Sequence, residues 1–529
     1  MGKMKKVFAW ILTLALATSF CVACGKNSGS NTNNNSSFDQ SIQSIQGSEN
    51  ISEEIENSSD VVESSSDDVE SSSQESEETS ESVHTCITDG EWISNKTGHW
   101  LKCDCGKFVQ YGSHSGTAPD CESQPICDTC GVSYGNPVGH TYGELSDGDA
   151  GKAYYCNCGA FITNEDLVDF VLEIESGKDP VVLQLSDPQI TSLDQVENYC
   201  YRYIREAVQK TDPDLIIMTG DIVYGRFDPS GAILKSLINF METLDTPWAP
   251  VFGNHDNESL KGVDWQCQQL EAAENCLFKQ GDLTGNGNYS IGLEQDGELL
   301  RVFYMLDSNG CGAPMVDVNG NPGPSPAPGT NVVRTSPGLG SDQVAWFKDS
   351  VNAIHAVDAD VKISMAYHIQ QTIFLEAFKK YEEYDGFFAE GSSSVLRNPL
   401  NLDTLETADD TDFGYLGRTM KGPWGDSLLS ISKLKELNVD SIFVGHEHCN
   451  SVSIVYEGIR FQYGQKSSQY DRYNTFTQDG EIFGGYIEQH PAGAIPLMGG
   501  TVIPISSEDG SIGTGYICYY GDPFGENAA

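Results

Sequence analysis

Residues 214–221 read D-L-I-I-M-T-G-D, an apolar run that ends in Gly220 and Asp221. A short apolar run closed by glycine predicts a buried β-strand, with the carboxylate in the loop at its carboxyl end. The pattern recurs on both sides of this stretch. An apolar run over 181–186 precedes Asp187, and another over 249–252 precedes Gly253 and Asn254. The carboxyl ends of adjacent strands meet in one crevice, so these polar residues are predicted to converge there.

Helical and extended patterns alternate through the second half of the chain. Helices are predicted over 194–210, 233–244, 342–355 and 428–437, and further strands over 299–306, 361–367 and 441–444. Such alternation is typical of an α/β fold. The last two strands bring further chemistry, because His368 follows one and Gly445-His446-Glu447-His448 follows the other. Carboxylates, an amide and imidazoles are the ligands of a two-metal hydrolytic centre.

The order of these blocks is more specific than any one of them. The blocks Asp187-Pro-Gln189, Gly220-Asp221, Gly253-Asn254-His255-Asp256, His368 and Gly445-His446-Glu447-His448 resemble the calcineurin-like metallophosphoesterase superfamily over about residues 180–470. Tyr367-His368-Ile369 and Gly464-Gln465-Lys466-Ser467 are similar to its purple-acid-phosphatase-like branch. The resemblance implies a four-layer α/β/β/α sandwich over residues 175–529. It also implies a phosphate-ester substrate, a monoester or a diester, hydrolysed by a metal-bound hydroxide.

The resemblance further implies which ion each residue binds. Asp221 would bridge both ions, because a carboxylate has two oxygens. The ions would be divalent or of the Fe/Zn type, that is Mn, Fe, Zn or Mg. The first would be held by Asp187 and His448, and the second by Asn254, His368 and His446.

Four further residues lie around these ligands in the sequence, and each has its own predicted role. His255 is predicted to donate a proton to the leaving oxygen, oriented by Asp256, and a structural turn histidine is the alternative. Gln189 stands where the family pattern has His, and a Gln oxygen is a weaker ligand for the first ion. Tyr224, in the block Gly220-Asp221-Ile222-Val223-Tyr224, could compensate as a tyrosinate ligand, or could simply pack in the core.

Residues 84–165 form a separate region rich in cysteine and histidine. Between His84 and Cys158 the chain holds eight of its 16 cysteines and four of its 10 histidines, in a degenerate internal repeat. Paired thiolates on glycine turns with flanking histidines are typical of structural zinc. The region resembles zinc-ribbon-like repeats of Gram-positive surface proteins. Disulfides are the alternative, since the chain is predicted to be exported.

The predicted division of this region gives two zinc sites. One would use His84, Cys103, Cys105 and His114, and the other Cys121, Cys127, Cys130 and His140. Cys156 and Cys158 could instead join His140.

The first 83 residues are predicted to lie outside the folded part. Residues 1–24 resemble a bacterial lipoprotein signal, with lysines before an apolar stretch and Cys24 as the lipidated residue. Cleavage by an ordinary signal peptidase and an uncleaved anchor are the alternatives. Residues 25–83 are Ser- and Glu-rich with few apolar side chains, so a disordered tether is expected. These features predict a bacterial cell-surface protein attached to the membrane by its lipid alone.

The net charge of the chain limits the kinds of partner that it can bind. Seventy-seven acidic residues against 30 basic ones give a net charge of −47, which argues against a nucleic-acid-binding surface. Two function classes remain. One is an exported metallophosphoesterase, and the other is a surface attachment or binding protein with a vestigial phosphoesterase core.

Overall fold

The computed structural model describes residues 85–148, 151–195, 199–310, 337–378, 412–414, 429–480, 482–521 and 523. The predicted signal with Cys24, the predicted tether and His84 lie outside the described residues. The described residues divide into two compact units. The smaller contains residues 85–118 and 124–135, and the larger contains residues 119–123 and those from 136 onward. Residues 136–165, predicted to belong to the Cys/His region, therefore group with the phosphoesterase domain.

The smaller unit is built on a three-stranded antiparallel sheet. Its strands are β1 (Thr88–Ser94), β2 (Gly98–Cys103) and β3 (Phe108–Ser113), in the order β1-β2-β3. The Asn95 side chain closes the first hairpin by accepting hydrogen bonds from the backbone N–H groups of Thr97 and Gly98. Alternation along β2 buries His99, Leu101 and Cys103 on one face.

The larger unit contains the remaining elements, which follow in chain order. Its strands are β4 (Tyr142–Gly148), β5 (Gly151–Cys156), β6 (Phe161–Ile162), β7 (Phe170–Ile174), β8 (Val181–Leu185), β9 (Leu215–Thr219), β10 (Trp248–Val251), β11 (Tyr289–Gln295), β12 (Glu298–Met305), β13 (Lys362–Ala366), β14 (Val439–Val444), β15 (Ser453–Tyr456), β16 (Ile459–Tyr463), β17 (Arg472–Phe476), β18 (Ile482–Tyr486), β19 (Ile495–Leu497), β20 (Gly499–Pro504) and β21 (Tyr516–Tyr519). Its helices are α1 (Asn164–Leu167), α2 (Leu193–Gln195), α3 (Tyr201–Thr211), α4 (Ala232–Glu242), α5 (Val263–Glu271), α6 (Ser341–His355), α7 (Ile373–Phe378) and α8 (Ile431–Glu436). Short 3₁₀ segments span Gly225–Phe227, Asp256–Glu258 and Ile487–Gln489.

Two sheets form the centre of this unit. The first has the order β10-β9-β8-β20-β21, with β8, β9 and β10 parallel and β20 antiparallel to β8. The second has the order β15-β16-β14-β13-β12-β11-β7 and is parallel from β12 through β13 and β14 to β16. Parallel neighbours bring their carboxyl ends to one edge of each sheet. Two small antiparallel sheets, β4-β5-β6 and β18-β17-β19, complete the unit.

Strand β12 shows how the layers stack. Its residues alternate between two hydrophobic clusters, with Phe303 and Met305 in one and Val302 and Tyr304 in the other. The first cluster also contains the first sheet and the apolar faces of α3, α4 and α5, whereas the second contains those of α6 and α8. Each sheet therefore has one face toward the other sheet and one toward helices. The predicted four-layer α/β/β/α sandwich is confirmed.

Most predicted elements recur with shifted ends. The long helix predicted from Asp194 begins instead at Tyr201, after the short α2. Strands β20 and β21 come from a Gly-rich stretch that carried no strand prediction, yet they complete the first sheet. Among the described residues, none of the helices is long and apolar enough to cross a membrane.

Candidate active site

The predicted ligands lie at the strand ends of both sheets. Asp187 and Asp221 each stand two residues after the last residue of their strands, β8 and β9. His368 and His446 stand two residues beyond β13 and β14, and Asn254 three beyond β10. Backbone hydrogen bonds connect these loops, since Gln189 N–H donates to the Asp221 carbonyl and Gly445 N–H to the His368 carbonyl. The edges of the two sheets thus supply one shared set of ligands.

Tight turns hold the ligand loops in an uncommon backbone conformation. Asp187, Gln189, Asp221 and His446 all have positive φ, with values of 50°, 43°, 49° and 73°. Non-glycine residues rarely adopt this left-handed region, and they cluster at functional sites when they do. A β-carbon at Gly253 would collide with the Asp221 carboxylate and backbone nitrogen. The glycine of the Gly253-Asn254 block is therefore required by the close approach of the Asp221 loop.

Four ligand atoms converge where the second ion is predicted. His368 Nε2 lies 3.1 Å from Asn254 Oδ1, 3.3 Å from His446 Nδ1 and 3.4 Å from Asp221 Oδ2. His368 Nδ1 lies 2.8 Å from the Thr219 carbonyl and donates its hydrogen there. The Nε2 lone pair is thereby directed at the cluster, as is usual for a histidine that binds metal. This donor set fits a divalent cation.

The residues predicted for the first ion lie beside this cluster. His448 Nε2 is 3.4 Å from Asp187 Oδ1, and His448 Nδ1 is 3.1 Å from Asp471 Oδ2. Asp187 also accepts hydrogen bonds from the Ser186 hydroxyl and the His446 backbone N–H. Single ligand atoms of Asp187, Asp221 and His368 lie within 4.8 Å of one another. Two carboxylates and an imidazole at this spacing fit a bimetal centre.

Gln189 connects this centre to a buried lysine. Its Nε2 donates to Asp221 Oδ2 over 3.0 Å, and its Oε1 lies 3.3 Å from Lys466 Nζ. The ammonium can only donate and the carboxylate can only accept, so both partners require the same amide orientation. Lys466 also donates to the Asp187 carbonyl over 2.6 Å. The amide oxygen of Gln189 keeps a second lone pair for an ion, and its ligation stays a prediction.

His255 lies at the wall of the centre with Tyr224 behind it. The His255 backbone N–H donates to Asp221 Oδ1 over 2.8 Å, and its ring packs against Tyr224 with centroids 4.0 Å apart and the ring planes tilted by 51°. The Arg226 guanidinium covers the Tyr224 ring at 4.3 Å. Burial raises the pKa of Tyr224, which disfavours a tyrosinate in the protein alone. The observed contacts give Tyr224 a packing role against His255, and ligation by its hydroxyl stays a prediction.

The expected pairing of His255 with Asp256 is wrong. Asp256 is fully buried and accepts hydrogen bonds from the backbone N–H groups of Gly253, Ile222 and Val223. Glu258 takes the expected place, with Oε1 3.2 Å from His255 Nδ1. The physical reason is the 3₁₀ turn over Asp256–Glu258, which brings a residue three positions later onto the side of His255. Glu258 was therefore missed, although its i, i+3 spacing was readable in the sequence.

Charge sets the protonation of the centre in the metal-free protein. Burial lowers the pKa of His446 to about 3, helped by the neighbouring His368. Burial alone would also lower the pKa of His368, but the Asp221 and Asp187 carboxylates outweigh it and raise that pKa to about 10. For Asp187, His448 and His368 outweigh burial and hold the pKa at about 2. For His255, Asp221 and Glu258 outweigh burial and raise the pKa. The neighbouring charges thus favour the ionised form of Asp187 and the protonated form of His255.

The fold and this site define a class of protein, α/β/β/α sandwiches that carry a set of metal-ligand side chains at their strand ends. The model of the calcineurin-like phosphoesterase family matches residues 180–450, more than half of the chain. The chain belongs to the calcineurin-like phosphoesterase family, and the predicted family is confirmed.

Individual relatives are distant. "Probable inactive purple acid phosphatase 29" of Arabidopsis thaliana is 22% identical over 279 residues, covering 50% of this chain and 61% of that protein. "Phosphatase DCR2" of Saccharomyces cerevisiae is 23% identical, covering 47% of this chain and 38% of that protein. The chain thus spans less than two thirds of the length of either. A crystal structure of a dimetal phosphatase from Danio rerio matches 65% of this chain and 99% of its own, with 11% identity and a TM-score of 0.32.

The structure groups the predicted zinc ligands differently from the predicted division. His114 lies with Cys127, Cys130 and His99, a histidine that the sequence did not single out. Cys121 and His140 lie with Cys156 and Cys158. Cys103 forms a disulfide with Cys86, and Cys105 is an exposed thiol beside it.

Proposed function

We propose that this protein is an active phosphoesterase that hydrolyses phosphomonoesters or phosphodiesters at its two-sheet edge. The observation that supports this most directly is the convergence of the complete ligand set at one point. Asp187, Asp221, Asn254, His368, His446 and His448 lie there at the ends of five strands, with His446 and His448 in the same loop after β14. If the protein had kept the fold without the activity, nothing would hold these six polar side chains in one place.

Most residues of the site hold metal ligands in position, and one donates a proton. Two bound ions would supply Lewis-acid activation of the ester and of water. Asp221 is held by the His255 backbone N–H on one oxygen and by Gln189 on the other. The Thr219 carbonyl fixes the ring of His368 by a hydrogen bond, and the Asp471 carboxylate lies 3.1 Å from Nδ1 of His448. His255, whose pKa is raised by Asp221 and Glu258, is the proposed proton donor to the leaving oxygen.

A paired assay tests the proposal. The protein is supplied with Mn, Zn, Fe or Mg and given nitrophenyl phosphate or bis-nitrophenyl phosphate, which separates monoesterase from diesterase activity. Asp221→Asn should reduce kcat at least about 100-fold, because it weakens the bridging ligand. His355→Ala is the matched control, since His355 lies in α6 and contacts the Val361 carbonyl. Absence of turnover with every metal would refute the proposal.

A binding protein with a vestigial core is the second candidate. Two observations favour it, since Gln189 replaces the histidine of the family pattern and the Arabidopsis relative is named inactive. This candidate predicts that the protein binds phosphate esters or metal without turnover, and that Gln189→His creates or strongly increases activity. Turnover by the unaltered protein would exclude it.

We also propose that the protein is exported and anchored by lipid on Cys24. The support is the sequence of residues 1–24, with Lys3, Lys5 and Lys6 before an apolar stretch. Metabolic labelling with palmitate tests it in the bacterial cell. Cys24→Ser should abolish labelling and release the protein, whereas Cys21→Ser, three residues away, should retain both label and attachment. Labelling that survives Cys24→Ser would contradict the anchor.

A further inference from the structure

We propose that the chain holds two structural zinc ions outside the phosphoesterase centre, each bound by a complete tetrahedral set of side chains. The proposal is independent of catalysis, because no ligand of the active site takes part. The first set belongs to the smaller unit and the second to the larger. The sets are His99, His114, Cys127 and Cys130, and Cys121, His140, Cys156 and Cys158.

The spacing of the ligand atoms matches a tetrahedron around zinc. Zn–S bonds of about 2.3 Å and Zn–N bonds of about 2.0–2.1 Å give edges of about 3.6 Å for S···N and about 3.8 Å for S···S. In the first set, Cys127 Sγ lies 3.5 Å from His99 Nδ1, and Cys130 Sγ lies 3.5 Å from His114 Nδ1. All four ligand atoms of this set lie within 4.8 Å of one another.

The surroundings of the first set prepare its histidines for a metal. His114 Nε2 donates to the Asn95 carbonyl over 2.7 Å, so Nδ1 carries the lone pair that faces Cys130. Such a backbone partner on the second ring nitrogen is typical of zinc-bound histidine. Opposite His99 in the sheet lies Gly112, where a β-carbon would come within 2.7 Å of His99 Nε2. The glycine makes room for the ring.

Tight turns present the thiols of the first set. Cys127 and Cys130 flank a turn in which Gly131 N–H donates to the Cys127 carbonyl and Cys127 N–H to the Val132 carbonyl. Gly131 has a φ of 71°, which few other residues adopt without strain. Two thiols on one such loop are a common zinc-binding arrangement.

The second set repeats the arrangement at the end of β5. Cys156 is the last residue of that strand, and Gly159 N–H donates back to its carbonyl. Cys121 Sγ lies 3.7 Å from Cys156 Sγ, and Cys158 Sγ lies 3.3 Å from His140 Nδ1. The sulfur pair is far beyond the disulfide bond length of about 2.05 Å but matches a tetrahedral edge. This geometry favours metal over a crosslink.

The two sets alternate along the sequence. Cys121 of the second set lies between His114 and Cys127 of the first. Residues 119–123, which carry Cys121, accordingly belong to the larger unit although the residues on both sides belong to the smaller one. Cys86 and Cys103 form a disulfide outside both sets, which leaves Cys105 as a nearby thiol that takes no part.

Cobalt substitution of the full chain tests the proposal. Thiolate bound to Co²⁺ absorbs in the near-ultraviolet, and the active site contributes no thiolate to this signal. The first set has two thiolates and the second three, so Cys130→Ser should remove about two fifths of the absorption and Cys158→Ser about three fifths. Each variant should also lose about one zinc ion per chain by elemental mass spectrometry. If Cys130→Ser does not fold, Cys130→His should retain the metal with weaker thiolate absorption.

Two controls separate this proposal from its alternatives. Cys105→Ser should leave both absorption and zinc content unchanged, whereas the division based on sequence makes Cys105 a ligand. His368→Ala should abolish hydrolysis without changing the thiolate absorption. The proposal is overturned if the unaltered protein shows no thiolate-to-cobalt absorption, or if alkylation without reduction finds the cysteines of the two sets crosslinked. An equal loss in Cys105→Ser and Cys130→Ser would overturn the ligand sets.

Discussion

At the scale of single residues, the centre depends on side chains that contact ligands without being ligands. Glu258 lies on His255, Asp471 on His448 and Lys466 on Gln189. Each such contact places a charged group beside a metal ligand or beside the proposed proton donor. Substitution of these residues should therefore alter turnover or metal affinity, although none of them is itself a metal ligand.

Glu258 and Asp256 should respond differently to loss of charge. We expect Glu258→Gln to lower kcat about 10-fold or more while leaving stability nearly unchanged, because it weakens the partner of the proton donor. Asp256→Asn should instead cost about 1–3 kcal/mol of unfolding free energy, because an amide donor would face backbone N–H groups. Denaturant titration and steady-state kinetics on the same preparations measure both. Equal effects of the two variants would contradict the assignment.

Lys466→Met tests the orientation of Gln189. Without the ammonium, the amide oxygen of Gln189 and the Asp187 carbonyl both lose a donor, and only the hydrogen bond to Asp221 still orients the amide. We expect weaker binding at the first ion, by about 10-fold, with the second ion retained. Competition titrations with a chromophoric chelator resolve the two ions. Lys435→Met, at an exposed pair with Glu457, is the control. Unchanged affinity for the first ion in Lys466→Met would show that Lys466 has no role at the site.

Sequence patterns could predict the ligands but not their supports. Asp221 and His368 were predictable because each follows an apolar run that had to be a buried strand. Lys466 also follows a strand, β16, but a lysine in a loop is ordinarily solvated, and only tertiary packing shows it fully buried. The choice of partners among eight closely spaced cysteines likewise depends on folding, so His99 could not be selected by spacing alone.

At the scale of elements, the site depends on loops that approach one another at strand ends. Gly253 shows how little space separates these loops, because a β-carbon there would overlap Asp221. Gly253→Ala should cost about 1–3 kcal/mol of unfolding free energy and displace the bridging carboxylate. Thermal unfolding and metal content measure the two effects. Gly143→Ala is the matched control, because neither glycine has a positive φ and a β-carbon at Gly143 would meet nothing closer than 3.5 Å. An equal loss in both variants would contradict the collision.

The second sheet contains an ion pair whose arginine is buried, so that loss of its partner should destabilise the protein. Arg301 on β12 is fully buried and bonds both oxygens of Asp440 on β14, and also the Ser364 hydroxyl on β13. Asp440→Asn should destabilise the protein by about 3 kcal/mol, because it leaves the guanidinium buried without a counter-charge. Denaturant titration measures this. Lys433→Ala, at an exposed pair with Glu436, should cost under about 1 kcal/mol. A similar loss in both variants would contradict the expectation.

The sheet order could be predicted only in part. Strands β8, β9 and β10 follow one another through helices, and such units are parallel and adjacent by rule. Strand β20 joins β8 from more than 300 residues later, and its sequence Gly499-Gly500-Thr501-Val502-Ile503-Pro504 lacks the alternation of a strand. Gly500 is nevertheless suited to its place, because a β-carbon there would meet Leu183.

At the scale of the whole molecule, metal binding should be linked to the stability of the larger unit. A metal at 100 times its dissociation constant stabilises the state that binds it by about 2.7 kcal/mol. Manganese should therefore raise the unfolding temperature of the unaltered protein. It should raise that of Asp187→Asn by less, because the variant lacks a ligand of the first ion and keeps those of the second. Manganese avoids thiolate ligands, so the Cys/His sets do not contribute. An equal rise in both proteins would show that Asp187 takes no part in binding manganese.

The left-handed backbone at Asp187, Gln189, Asp221 and His446 has a consequence for how such a chain can change over generations. Asparagine tolerates this conformation better than most residues, and in Asp187→Asn the Ser186 hydroxyl can turn to accept from the new amide. That substitution should leave the backbone of the turn unstrained while it removes a ligand and the negative charge beside His448. Loss of selection for hydrolysis would then change the ligands before it changed the architecture. A protein that is no longer selected for hydrolysis could therefore keep the same sandwich fold.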